Sequence, residues 1–340
     1  MRKLARISLI IMMIISFTGC QTKGLLSYQN AARTTQAIEK GEVLVEVNLM
    51  NTFDKTGLAF EVEKELSDYE RISTKVISKY DNTENEQMET NIYFISGGMG
   101  IDASLFSMDE QLILQLPIIN MYMVLNEGSK EQFLKADEEL ESTDLEVAAE
   151  TMIAETPEAE VIINIDVEAL LNIWLNILNE ENIVVGNNTY VNTKEGQIKT
   201  TEYSFHISEN QIQELMKALI NEIDFEKINK FIQQQTKAFD DTKIFVDIES
   251  LLNMIKLTRL EGKAFVDFDN RLIRQEFVLY GEGNTVEPGD LETFQIEFNI
   301  EYTNLGKEQQ FDFPTLTEEN VVNQEQLEEI FDMLENIGGL

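Results

Sequence analysis

Few side chains in this 340-residue chain have the type and spacing to do chemistry. Cys20 is the only cysteine and His206 the only histidine. A lone thiol makes neither an internal disulfide nor a structural zinc site. His206 could act as a general base, but it alternates with Tyr203, Phe205 and Ile207, a spacing that puts it on the wet face of a strand. No GxSxG elbow, phosphate loop or HExxH helix is present, and Gly97-Gly98-Met99-Gly100 lacks the GxGxxG spacing. Asp267, Asp269 and Asn270 stand as in a calcium loop, yet the required glycine and distal glutamate are missing. They read as a hairpin tip. The 62 acidic residues could supply a carboxylate pair for glycoside hydrolysis, and nothing marks one pair above the rest. The expectation is a protein that is not an enzyme, with no catalytic residue, no metal and no bound cofactor.

The residues before Cys20 carry the sharpest signal. Arg2, Lys3 and Arg6 make a positive start, residues 7–17 form an apolar run of eleven, and Phe17-Thr18-Gly19-Cys20 closes it. A spanning helix needs about 20 apolar residues, so this run is short for a permanent anchor. The stretch resembles the bacterial lipobox. That resemblance implies cleavage between Gly19 and Cys20, and a covalent diacylglyceryl group on the Cys20 sulfur. An ordinary secretory signal or an uncleaved anchor is the other reading. The expected location is the extracytoplasmic face of a cell membrane, held by lipid.

Charge limits the partners. Residues 1–19 contain three basic and no acidic residues, so their removal leaves 23 basic against 62 acidic residues, a formal charge of −39. Such a surface repels phosphate backbones and acidic headgroups, which argues against nucleic acid and against electrostatic docking on a membrane. The lipid would hold the protein there, since two acyl chains suffice for stable attachment. With 43% hydrophobic residues, 19 phenylalanines and 4 prolines, the chain has material for a large core.

The pattern of the remaining chain is strands, helices, then strands. Residues 20–40 read as lipid anchor and tether, with a first helix possible in the pattern of residues 25–40. From residue 42 the period is two: Val43, Val45, Val47 and Leu49 alternate with polar neighbours, as do Phe60 and Val62, and Ile72, Thr74, Val76 and Ser78. Residues 81–86 form a hairpin tip, and the glycine cluster at 97–100 breaks the next connection. Residues 112–125 are the most apolar stretch of the mature chain, interrupted by Pro117. They line a cavity, or else form a strand buried on both faces. Residues 128–160 are acidic and helix-prone. Val167, Leu170, Leu171, Trp174, Leu175 and Leu178 mark an amphipathic helix that Asp166 can cap. Ser208 and Gln211 open a second, which carries Ile212, Leu215, Met216, Leu219, Ile220 and Ile223. A hairpin lies between them at 188–207, and a further helix is expected over 225–238. Strands return at 243–248, in a hairpin over 264–280 that turns at 267–271, and at 294–302. An acidic helix follows over 316–340.

Thr189-Tyr190-Val191, the run Lys199-Thr200-Thr201-Glu202-Tyr203-Ser204-Phe205, the helix opened by Ser208, and Ala264 through Ile273 together resemble the LolA/LppX-like half-barrel lipoproteins and related Gram-positive lipoproteins. The resemblance runs over residues 41–314. It implies an α+β fold, a strongly curved antiparallel sheet covered by amphipathic helices, with an apolar space between them that holds acyl chains. The body is expected at 41–315. Leu114, Leu116, Ile119, Met121, Met123, Trp174, Leu215 and Leu219 are the candidate lining of that space. The alternative is an envelope interaction or sensor module with a filled core and an acidic face for a protein partner.

Overall fold

The structure is a computed structural model; it describes residues 22–83, 86–108, 111–117, 119–124, 167–222, 255–283, 289–317, 320–322 and 326. The period-two segments form eleven strands: β1 (Lys40–Phe53), β2 (Arg71–Asp81), β3 (Gln87–Ser96), β4 (Met99–Met108), β5 (Gln111–Leu116), β6 (Met121–Val124), β7 (Ile183–Thr193), β8 (Gly196–Ile207), β9 (Ile255–Asp267), β10 (Leu272–Gly283) and β11 (Leu291–Thr303). They make one open antiparallel sheet in the order β6-β5-β4-β3-β2-β1-β11-β10-β9-β8-β7. Two meanders, β1–β6 and β7–β11, are sewn together where β1 pairs with β11, for instance Val47 opposite Phe298. The two strand blocks are therefore halves of a single sheet, as their alternation suggests.

Four helices complete the described chain: α1 (Thr22–Gln36), α2 (Phe60–Asp68), α3 (Val167–Ile177) and α4 (Glu209–Glu222). Helices α1, α3 and α4 pack on one face, where Tyr28, Ala31, Leu175 and Ile212 join Tyr203, Phe205, Ile207, Leu260, Ala264 and Leu272 in the main core. Each apolar side chain buried there contributes about 1.5–3 kcal/mol. Gly262 makes room for this packing: a Cβ there would lie 2.2 Å from the ring of Phe277. That ring meets Trp174 edge to face at 5.4 Å.

Half of the expected capping pattern opens α4: the Gln211 side chain accepts from the Ser208 N–H at 3.2 Å, while the Ser208 hydroxyl donates to the same oxygen at 2.9 Å. Gln211 also donates to the Ile177 carbonyl at 3.1 Å and pairs with Asn182, so it ties the end of α3 to the start of α4.

Three expectations need correction. Phe60 and Val62 are helical, not extended. Glu61 and Glu63 occupy the first turn of α2, where the helix dipole favours acids, and three alternating residues are too few to define a strand. Residues 22–36 are not a tether: α1 buries Tyr28, Ala31 and Ala32 in the main core. The hairpin expected from residue 188 begins at Ile183, and β9 begins at Ile255 rather than at 264. The glycine cluster is a tight hairpin tip, with Gly97 at φ 58° and Gly98 at φ 80° between β3 and β4. Pro117 sits in the connection between β5 and β6. The segments expected at 128–160, 225–238 and 243–248, together with Asp166, Ile223 and residues 1–21, lie outside the described residues, as does nearly all of the C-terminal helix.

The chain beyond β11 crosses the opposite, polar face. Gly306 N–H donates to the Lys40 carbonyl of β1, and Lys79 of β2 donates to the Gln310 carbonyl. Asp312 N–H donates to Glu89 of β3, and the Phe313 ring lies 6.2 Å from Phe106 of β4. The strap ends beside β6, where Tyr122 exchanges backbone hydrogen bonds with Asn320 and Val322. Ile113 of β5 is buried on this polar face, while its neighbours Leu112 and Leu114 are half-buried on the other. The segment thus has cover on both sides, with less of it on the helix face.

Candidate functional site

Cross-strand partners in an antiparallel pair project from the same face, so the register identifies every residue on the helix face. One row reads Phe205, Gly262, Phe277, Phe298, Val47, Thr74, Phe94, Ile101 from β8 to β4. The next reads Tyr203, Ala264, Gln275, Ile300, Val45, Val76, Ile92, Ala103. A third runs Tyr302, Val43, Ser78, Thr90, Leu105, Leu114, Met123. No charged residue occurs in these rows, in a chain that is 26% charged. The other face holds the charges, including Glu42, Glu46, Lys75, Lys79 and Glu89. The main core involves α1, α3 and α4 with β7–β11, and reaches β1 at Leu49. Over β2–β6 the same apolar face is only half-buried, and Phe94 and Ile101 are exposed.

A polar cluster sits on this face within the core. Trp174 Nε1 and Gln275 Nε2 both donate to the Tyr28 hydroxyl at 2.9 Å, and the Tyr302 hydroxyl donates to Gln275 Oε1 at 3.0 Å. Burial pushes the Tyr28 phenol up to about 12, outweighing the opposite effect of the hydrogen bonds from Trp174 and Gln275. Burial raises Tyr302 too, reinforced by Tyr28 and Tyr80. These phenols remain neutral donors and acceptors at physiological pH. Nothing in the spacing of Tyr28, Gln275 and Tyr302 announces the cluster, because its members come from α1, β10 and β11.

The candidate lining residues fall into two groups. Trp174 and Leu215 pack on the main core, and Leu219 is half-buried on the same helix as Leu215. Leu114, Met121 and Met123 share the helix face at the far edge of the sheet, Leu116 pairs with Met121, and Ile119 lies in the turn between β5 and β6. Five strands lie between β5 and β10, where Trp174 packs on Phe277. They are joined by one continuous apolar face and share no packed cluster. Gly19 and Cys20 lie outside the described residues.

The other chemical candidates are accounted for by local contacts. His206 is exposed, its Nδ1 3.5 Å from Glu261. Arg271 bonds Asp267 at 2.7 Å and Asp269 at 3.0 Å, and Asn270 takes φ 59° at the hairpin tip. An arginine thus occupies the place a calcium ion would need. No cluster of histidine, cysteine and carboxylate side chains suited to a metal occurs among the described residues. A depression of about 430 Å³ lies largely on the polar face, between Met50, Thr52, Arg259, Tyr280, Glu282 and Gln295. Its arginine already stacks on Tyr280 at 4.3 Å.

The fold and site define an α+β protein built on an open antiparallel sheet whose helix face is apolar and free of charge across its three central rows. A scan of the sequence against protein-family models found no match, and a search of curated proteins found none either.

Proposed function

We propose that this chain is a membrane-anchored, extracytoplasmic lipoprotein without enzymatic activity, whose sheet curves into a half-barrel and takes the acyl chain of a lipid against its helix face. The observation that carries the reading is the charge-free face continuing from the packed core onto β1–β6, where the described helices leave it half-buried. Burying a carboxylate or a phosphate on such a surface, without a cation to pair it, is costly. The face therefore suits the hydrocarbon part of a ligand, with the hydroxyls of Thr74, Ser78 and Thr90 as the hydrogen-bonding groups within it. Methionines at 121 and 123 adapt to flexible chains.

The lipid on Cys20 anchors the protein. Metabolic labelling with a palmitate analogue tests this: the intact chain labels and stays in the membrane fraction, and Cys20→Ala does neither. Native mass spectrometry after gentle purification tests the ligand, with co-purifying acyl species as the expected result. A clean unliganded mass, together with no uptake of a fluorescent fatty-acyl probe, would overturn it.

The filled core under α3 and α4, where Leu175 and Ile212 are almost completely buried, favours a second reading. In it the sheet is a scaffold for an acidic face that meets a basic envelope protein. A salt-sensitive interaction lost on neutralising residues 128–160 would support that module instead.

A further inference from the structure

The position of α1 gives the proposed anchor a direction. Helix α1 begins at Thr22, two residues after Cys20, so roughly 7 Å of chain at most separates the two. Its first turn rests on the start of β7: a Cβ on Gly24 would lie 2.8 Å from Val185. Its other end meets the β9–β10 tip, where Leu272 N–H donates to Thr35 Oγ1 at 2.7 Å. The helix therefore runs from one edge of the sheet to the other, with its Thr22 end at the edge where β7 starts and β8 ends.

Exposed apolar side chains gather at that edge. Leu26 and Val184, beside the start of α1, are 59% and 65% exposed. The register row through Ile207 and Leu260 continues by way of Leu279, Ile296, Leu49 and Ile72 to Ser96 and Met99, so the β3–β4 tip belongs to the same edge. Met99 and Ile101 are 69% and 64% exposed there, and Phe60 of α2 is 75% exposed. Ser96 Oγ donates to the Asp68 carbonyl, which ties α2 to this tip.

The geometry points to this edge as a membrane-contacting surface, with the outer monolayer of a lipid bilayer as its partner. The proposal rests on the reading of Cys20 as acylated. A chain tethered this closely cannot turn the opposite edge to the bilayer without unwinding the start of α1. Glu61, Glu63, Glu65 and Asp68 on α2 repel anionic headgroups, so the contact is apolar and sits in a zwitterionic interface. Single exposed apolar residues are ordinary on any protein; several on the tethered edge, with an anchor beside them, form a docking face.

The test uses the full acylated protein in phosphatidylcholine vesicles. With Cys20 acylated, Val184→Cys, Met99→Cys and Phe268→Cys each supply one free thiol for a fluorophore. Phe268 is 71% exposed at the opposite edge, and all three sites tolerate substitution because they are open to solvent. Nitroxide lipids should quench the probes at 184 and 99 severalfold more than the probe at 268. Equal quenching at all three, or quenching at 184 without 99, overturns the docking face. Mass analysis of the N-terminal peptide separates the two failures. An unmodified Cys20 overturns the anchoring and this orientation with it, whereas an acylated Cys20 with unquenched probes overturns the orientation alone.

Discussion

The Glu89 carboxylate accepts a hydrogen bond at 2.9 Å from the backbone N–H of Asp312, 223 residues away in sequence. Lys79 holds the same carboxylate at 3.1 Å, and Asn91 donates to it at 3.1 Å. Burial alone would raise this acid, but the three donors outweigh burial and hold it below the usual range. Glu195 is lowered in the same way by Lys307 and the Asn304 N–H, against burial. That residue stands at the β7–β8 tip, which reaches over the polar face, where its neighbour Lys194 pairs with Glu42 of β1.

Acid should therefore release the strap. A carboxylate with a depressed folded value contributes stability that is present above its unfolded value of 4.5 and lost as pH falls through the lower folded value. The Asp312 amide is expected to stay protected from hydrogen exchange at pH 7 and pH 5 and to open as pH falls below 4.5 toward the lower folded value of Glu89. Glu89→Ala should open it at pH 7, whereas Glu89→Gln, which keeps an acceptor for Asp312, should open it less. Protection that is unchanged in Glu89→Ala would refute the latch.

Gly262→Val should destabilise the fold. The added Cβ meets the Phe277 ring at 2.2 Å and the Glu276 carbonyl at 2.8 Å. Displacing a ring already packed on Trp174 and Phe205 costs about 1–3 kcal/mol. Urea denaturation followed by Trp174 fluorescence reads the midpoint, and an unchanged midpoint would contradict this packing.

Tyr28→Phe removes the acceptor of two buried donors, Trp174 Nε1 and Gln275 Nε2. A loss of about 1–3 kcal/mol per stranded donor is expected, again by urea denaturation. At alkaline pH the sign follows from the raised phenol. Its stabilising effect is complete below the unfolded value of 10.0 and declines as pH rises toward the folded value of about 12. The difference in tyrosine absorbance between the intact protein and Tyr28→Phe should show this group ionising only near pH 12, above a free phenol.

Thr74→Asp places a charge in the central row between Val47 and Phe94. It should lower affinity for a fluorescent fatty-acyl probe at least about tenfold, or on the order of 1.4 kcal/mol, since the apolar face supplies no cation to pair it. Lys75→Asp, one residue along on the polar face, is the control and should leave uptake unchanged.

Much of the fold was legible because alternation is a local property. Val43, Val45, Val47 and Leu49 announce a strand with one apolar face whichever strand lies beside it, and Leu171, Trp174, Leu175 and Leu178 announce an apolar helix stripe. The same local cue misled at Phe60 and Val62, where propensity and two acids in the first turn prevailed over a short alternation. The hairpin tip at 267–271 was also legible, through Asn270, which accepts positive φ, whereas the glycines at 97–98 announced only a break in the chain.

The sequence by itself determined that β-rich blocks flank a helical centre, that strands such as β1 alternate an apolar with a polar face, and that Cys20 stands alone after an apolar leader. Only the tertiary structure decided that β1 pairs with β11, which merges those faces into one surface across eleven strands. It also decided that Tyr28, Gln275 and Tyr302 meet, and that the chain from Gly306 to Phe313 straps the polar face. The reason is physical: periodicity records which way a side chain points, whereas strand order, buried hydrogen bonds and the Glu89–Asp312 latch join residues far apart in the chain, whose pairing leaves no local pattern.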